Sequence, residues 1–338
     1  EYTMSGTIPH HQNSGSIDPE ALSLVADIGA TNARFALAVS GSNELIKPLT
    51  LLTNNFTSIL SACREYFNHI ADLHPSRACI AVACPISGDH VSLTNNSWTF
   101  SIEEVRQELN VGRLMVVNDF KAMAAGVPHL AAEEIDQIGD GTPIPERTMS
   151  VIGPGTGLGV ATVVQHETGR IILEGEGGHV CFAPGNEREI DILRLLSRQF
   201  SRVSTERILS GDGIKTLFQT LAKIDGVAVP DLTTSSIVER AISGSDSRCL
   251  EVIDIFCGVL GSFAGDLAMT LNPQGGVYIG GGIIPRIAKL LKDSPFRARF
   301  EGKGRLSSFI KNVPTYLIMT DHTALTGAAS LLLDDLKG

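Results

Sequence analysis

The chain has 338 residues, which at about 150 per domain points to two domains; 43% are apolar and 19% charged, the balance of a folded globular protein and not of a disordered one. The 27 basic and 37 acidic side chains leave a net charge of −10, which opposes wholesale binding to nucleic acid or to anionic membranes, although a nucleotide can still be held through backbone amides and a metal ion. Six scattered cysteines with no CxxC pair read as reduced, mostly buried thiols and a cytoplasmic location, and no apolar run approaches the roughly 18 residues of a membrane span.

Residues 1–20 are polar, carry no apolar stretch of the secretory kind and read as a disordered tail. LSLVADIGATNARFALAVS (22–40) reads as strand, tight polar turn, strand, and PLTLLT (48–53) as a third strand. SILSACREYFNHI (58–70) has helical spacing, ACIAVACPI (78–86) is a buried strand, and SIEEVRQEL (101–109) opens a helix with Ser101 and Glu104 at capping-box spacing. RLMVV (113–117) is another strand before VVNDFKAMAAG turns helical. The pattern then restarts: MSVIGPGTGLGVATVVQ (149–165) is again strand, glycine turn, strand. Setting Asp27 on Gly153 puts Gly29 on Gly155, Thr31 on Gly157 and Ala33 on Gly159, which hints at two related halves. A loop at 174–185, a helix capped by Asn186 with Glu189 at its third position, and further helices lead to GGVYIGGGIIPRIAKLL (275–291), read as strand, triple-glycine turn, helix. A strand (313–320) and a helix (323–336) end an α/β chain whose two halves should meet along a cleft.

Several of these turns can carry chemistry. Small residues at Gly29 and Ala30 let backbone amides approach an anion, Thr31 and Asn32 add donors, and Asp27 is placed to hold a hydrated metal on phosphates; a plain hairpin turn is the alternative. GPGTGLG (153–159) lacks the Gly-Lys-Ser/Thr ending of a Walker loop and leads into a strand, unlike the dinucleotide turn. Asn118 and Asp119 follow a short apolar strand and precede a helical pattern, where a carboxylate can act as a base or merely cap the helix. In GEGGHV, two glycines can aim Glu176 and His179 at one ligand, and STERILSG has Ser204 as a cap with Glu206 in the first turn. TNNSWTF sets the only Trp beside Asn95 and Asn96, as in sugar sites or in an ordinary turn. Carboxylates, amides and one His suit polyol hydroxyls.

Taken together, ADIGATNAR, CPISGDHVSLTNNSW, VVNDFKAMA, GPGTGLG, GEGGHV, STERILSG and GGVYIGGGIIPR resemble, in order and spacing, the bacterial-type glucokinases of the hexokinase, actin and heat-shock ATPase superfamily, over residues 21–335. The resemblance implies two ribonuclease-H-like α/β domains, a small one from 21–125 plus 321–338 and a large one from 126–320, closing over the sugar. It implies Asp119 as the general base for the 6-hydroxyl of glucose, with Asn95, Asn118, Glu176, His179 and Glu206 on the other hydroxyls. It puts Ala26, Asp27, Ile28, Gly29, Ala30, Thr31 and Asn32 on the phosphates of ATP together with Gly155, Thr156 and Gly157, Asp27 on hydrated Mg2+, and Gly280, Gly281 and Gly282 against adenosine. A homodimer is implied in the same way. The family's usual Gly-Gly-Thr is here Gly29-Ala30-Thr31, and Cys181-Phe182-Ala183 stands where the zinc-bearing branch has a cysteine-rich motif. A kinase for another hexose and a sugar-sensing regulator are the competing readings; the short polar segment before the first strand and the acidic charge oppose the regulator.

Overall fold

A computed structural model describes residues 21–42, 44–70, 73–93, 96–167 and 169–335; the expected tail at 1–20 lies outside the described residues. The chain divides into two compact units, Glu1–Leu130 with His322–Gly338, and Ala131–Asp321.

In the first unit β1 (Leu22–Ile28), β2 (Asn32–Val39) and β3 (Leu45–Leu52) form an antiparallel meander. After α1 (Ile59–Ile70), β4 (Arg77–Val82) returns parallel to β1. A short ribbon of β5 (His90–Ser92) and β6 (Thr99–Ser101) precedes α2 (Ile102–Glu108), β7 (Arg113–Asn118) and α3 (Asp119–Gly126). The sheet order is β3-β2-β1-β4-β7. β1 is buried on both faces, which is why it reads as a continuous apolar run. Leu22, Leu24, Ala26 and Ile28 join the cluster that holds Ile59, Ala62 and Tyr66 of α1, and Val25 joins a second cluster with Ala122 of α3. The period of two therefore turns Asp27 toward the α3 face. The cap expected at Ser101 is present, its hydroxyl accepting from the Glu104 N–H. Trp98 is buried at 4% exposure and donates through Nε1 to the Phe56 carbonyl, so it is a core residue and not a sugar platform.

The second unit opens with β8 (Ile135–Ile138) and repeats the plan with β9 (Met149–Pro154), β10 (Leu158–His166) and β11 (Gly169–Gly175). Helices α4 (Glu187–Leu196), α5 (Gly211–Ile224), α6 (Thr234–Ser243) and α7 (Ser247–Leu271) precede β12 (Gly276–Ile279). Three further helices, α8 (Ile284–Asp293), α9 (Phe296–Glu301) and α10 (Ser307–Lys311), lead to β13 (Thr315–Ile318). The order is β11-β10-β9-β12-β13-β8, with β12 parallel to both its neighbours. α7 is 25 residues long and apolar because α5, α6 and α9 pack about it; Phe256, Leu260 and Ala264 are sealed in the core. The chain then returns to the first unit as α11 (Thr323–Asp335), packed on α3.

The sequence reading missed β8 and β11 because both are edge strands with one solvated side. The two meanders also show that the aligned halves slip by one residue. Ile28 pairs Ala33 across the first turn, whereas Pro154 pairs Leu158 across the second. The second turn is one residue shorter, so Ala33 corresponds to Leu158 and not to Gly159. Residues 126–130, expected with the large domain, stay with the first unit, where His129 Nε2 lies 3.1 Å from Ser330 Oγ on α11.

Candidate active site

In the first unit, the candidate residues gather at the carboxyl ends of the parallel strands β1, β4 and β7, the end of an α/β sheet where ligands bind. The turn after β1 is held from behind: Gly29 N–H donates to the Asn32 carbonyl at 2.9 Å, Thr53 N–H to Thr31 at 2.9 Å, and Thr53 Oγ1 to Gly29 at 3.0 Å. Ala26 and Ile28 are sealed in the core, so only their backbone can serve a ligand. Asp27 sits 3.6 Å from Arg34, its partner across the hairpin.

At Asn118-Asp119 the structure shows which residue caps the helix. Asn118 is the cap of α3, its Oδ1 accepting from Phe120 N–H at 2.8 Å and Lys121 N–H at 3.3 Å. Its Nδ2 donates to the Cys84 carbonyl at 3.4 Å, which leaves only the amide end to turn toward a sugar. Asp119 is thereby the first helical residue and not the cap. Burial and then the charge of Asp27 push its carboxyl from 3.8 up to about 7, against the pull of amide hydrogen bonds. A carboxylate poised near neutrality can take a proton from a hydroxyl and return it to water.

In the second unit β9 and β12 run side by side and parallel, so the turn 155–157 and Gly280–Gly282 leave the same edge of the sheet. Gly280 N–H donates to the Ile152 carbonyl at 2.8 Å. Within the turn, Gly155 N–H donates to Gly157 at 2.8 Å, and the Gly155 carbonyl accepts from Gly211 at the start of α5, also at 2.8 Å. The loop after β11 lies flat on β10 because Gly178 has no side chain: a Cβ there would stand 2.0 Å from the Leu158 carbonyl. That approach brings His179 to 3.9 Å from Glu176 and 3.8 Å from Glu206, too long for direct hydrogen bonds and open to a ligand's hydroxyls. Glu206 is fixed by its other oxygen, which accepts from Leu158 N–H at 2.8 Å.

Asn95 lies outside the described residues. Ser204 precedes a 3-10 turn, Thr205–Arg207, with no side-chain cap bond; the hydroxyl that caps α5 is Ser210, accepting from Gly213. Sequence reasoning missed the residues that hold the candidates. Arg34 beside Asp27 was legible from hairpin register. Thr53 behind the first turn and Arg202, whose guanidinium donates to the His179 carbonyl, are distant contacts with no local signal. Glu189 was legible as a helix-start residue but not as a carboxylate 1% exposed and gripped by Arg299.

The glucokinase family model matches residues 24–335, nearly all of the described chain. The chain belongs to the glucokinase family. The glucokinase of Chromobacterium violaceum is 46% identical over 314 residues, covering 93% of this chain and 90% of that one. Among solved structures, a glucokinase from an Antarctic psychrotroph is 37% identical with a TM-score of 0.82, covering 92% of this chain and 98% of that chain. A ROK-family glucokinase from Streptomyces griseus, solved with glucose and AMPPNP, superposes with a TM-score of 0.67 at 20% identity, covering 92% and 98%, and so speaks to the fold alone.

Proposed function

We propose that this glucokinase-family chain transfers the γ-phosphoryl group of ATP to the 6-hydroxyl of glucose, giving glucose 6-phosphate and ADP, with Asp119 as general base. The observation that carries the assignment is Asp119 itself, relieved of capping by Asn118 and with its carboxyl raised to about 7. Asp119 takes the 6-hydroxyl proton as the sugar oxygen forms its bond to the γ-phosphorus and the bond to the β,γ-bridging oxygen breaks. Asn118, Glu176, His179, Glu206 and Asn95 hold the remaining hydroxyls. The turns Ala26–Asn32 and Gly155–Gly157 cradle the phosphates through backbone amides, with Thr156 beside them, and Gly280–Gly282 lie against adenosine.

A divalent cation at the first unit is part of this reading. Asp27 raises the Asp119 carboxyl by its negative charge, and such paired carboxylates favour a neighbouring cation. Asp27 would hold Mg2+ through water, and the ion would neutralise the transferring phosphoryl group. Activity should vanish in excess EDTA. We place the enzyme in the cytoplasm, in keeping with six cysteines that are all free thiols, and we propose a homodimer, which light scattering on a sizing column would test.

The assay is ADP release with glucose, mannose, fructose and glucosamine in turn. Glucose should show the highest kcat/KM. Preference for another hexose would reassign the substrate, and sugar binding without turnover would favour a sensor.

A further inference from the structure

Glu206 serves two places at once. One carboxylate oxygen accepts from Leu158 N–H at 2.8 Å, at the end of the phosphate turn, and stands 2.6 Å from where a Cβ on Gly157 would be. The other oxygen faces His179 at 3.8 Å, among the sugar-binding candidates. A few residues on, Gly211 N–H donates to the Gly155 carbonyl. The segment 206–211 therefore grips the glycine turn at both ends, and its first contact is the sugar carboxylate.

We propose that Glu206 couples the two substrates: it sets the phosphate turn and the sugar hydroxyl contacts with one side chain, so that occupancy of either favours the other. The proposal rests on the glucokinase reading. A Cβ at 157 is then felt by the sugar site as well as by phosphate. A methyl there displaces the Glu206 carboxylate from Leu158 N–H and with it the oxygen offered to the sugar. The turn's other tie, Gly211 to Gly155, remains, so the loop is not released. Coupling is reciprocal by thermodynamic necessity, whichever ligand is added first.

The test is calorimetric titration of glucose into nucleotide-free protein, and of AMPPNP with Mg2+ into sugar-free protein. Wild-type protein should bind glucose, and bind it about fivefold or more tighter when AMPPNP is present. Gly157→Ala, although in the phosphate turn, should weaken nucleotide-free glucose binding about tenfold and reduce the AMPPNP effect toward one. Unchanged glucose affinity in a variant with a normal thermal melt overturns the coupling. Should Gly157→Ala not fold, Glu206→Asp gives the reciprocal reading: the shortened carboxylate should weaken AMPPNP binding without sugar, and unchanged AMPPNP affinity overturns the proposal. Wild-type protein that binds no glucose would instead overturn the glucokinase reading itself.

Discussion

Two recessed carboxylates, one in each unit, lie at or near a helix start capped by asparagine, and their surroundings are opposite. Glu189 accepts four hydrogen bonds, from Gly185 N–H, Asn186 Nδ2 and both terminal nitrogens of Arg299, at 2.6–3.0 Å. Asp119 follows its cap directly and meets burial and the like charge of Asp27, so that its carboxyl sits near neutrality. A carboxylate saturated by donors and paired with a cation anchors structure. One held short of compensation costs stability and is available for proton transfer. The contrast separates a structural acid from a chemical one more sharply than burial does.

Asp119→Asn gives the largest expected effect on activity, because it removes the proton acceptor and keeps the shape. Turnover should fall by roughly 10²–10⁴ while the helix stays capped by Asn118, as read by steady-state kinetics beside a thermal melt. A normal melt with normal turnover would dissolve the contrast. Arg299→Ala should be the largest stability effect, about 3–5 kcal/mol by denaturant unfolding, because it leaves Glu189 buried without its counter-charge.

The pH dependence of stability is the next test. Asp119 rises from 3.8 unfolded to about 7 folded, so the folded state holds a proton over that window that the unfolded chain has lost. Its contribution is a cost that is absent below about pH 4 and complete once pH passes about 7. Without ligands or metal, Asp119→Asn should therefore melt above wild type at about pH 8, with the gap closing toward pH 4. Melting curves that stay parallel across that range would remove Asp119 from its place as the tuned acid.

Smaller effects belong to His179 and Ser204. His179→Ala should raise the KM for glucose about tenfold with little change in kcat, the loss of one hydrogen bond to substrate. Ser204→Ala should cost less than the roughly 1 kcal/mol of a lost cap, because its buried hydroxyl makes no cap bond to the turn it precedes.

Much of the site was legible because it sits on turns that local chemistry specifies. The glycine turns at 29 and 155 follow buried strands, and the pair Asn118-Asp119 a half-buried one, whose apolar runs announce them. The small misreadings were local as well. Ser204 has the residue type of a cap, but its segment makes only a 3-10 turn before Ser210 starts α5. Trp98 beside asparagines has the composition of a sugar platform, but its ring fills the core.

The sequence by itself determined the strands, the helix starts and the chemical types available, because period, capping and turn preferences act over a few residues. Tertiary structure alone decided what each charge does. Asp27 reaches Asp119 only because β1 and β7 flank β4 in one sheet. Glu206 meets Leu158 N–H, and Glu189 meets Arg299, across 48 and 110 positions of chain. A carboxylate's ionisation depends on burial and on the groups within a few ångströms, and those neighbours are set by sheet order and helix packing, which no local pattern encodes.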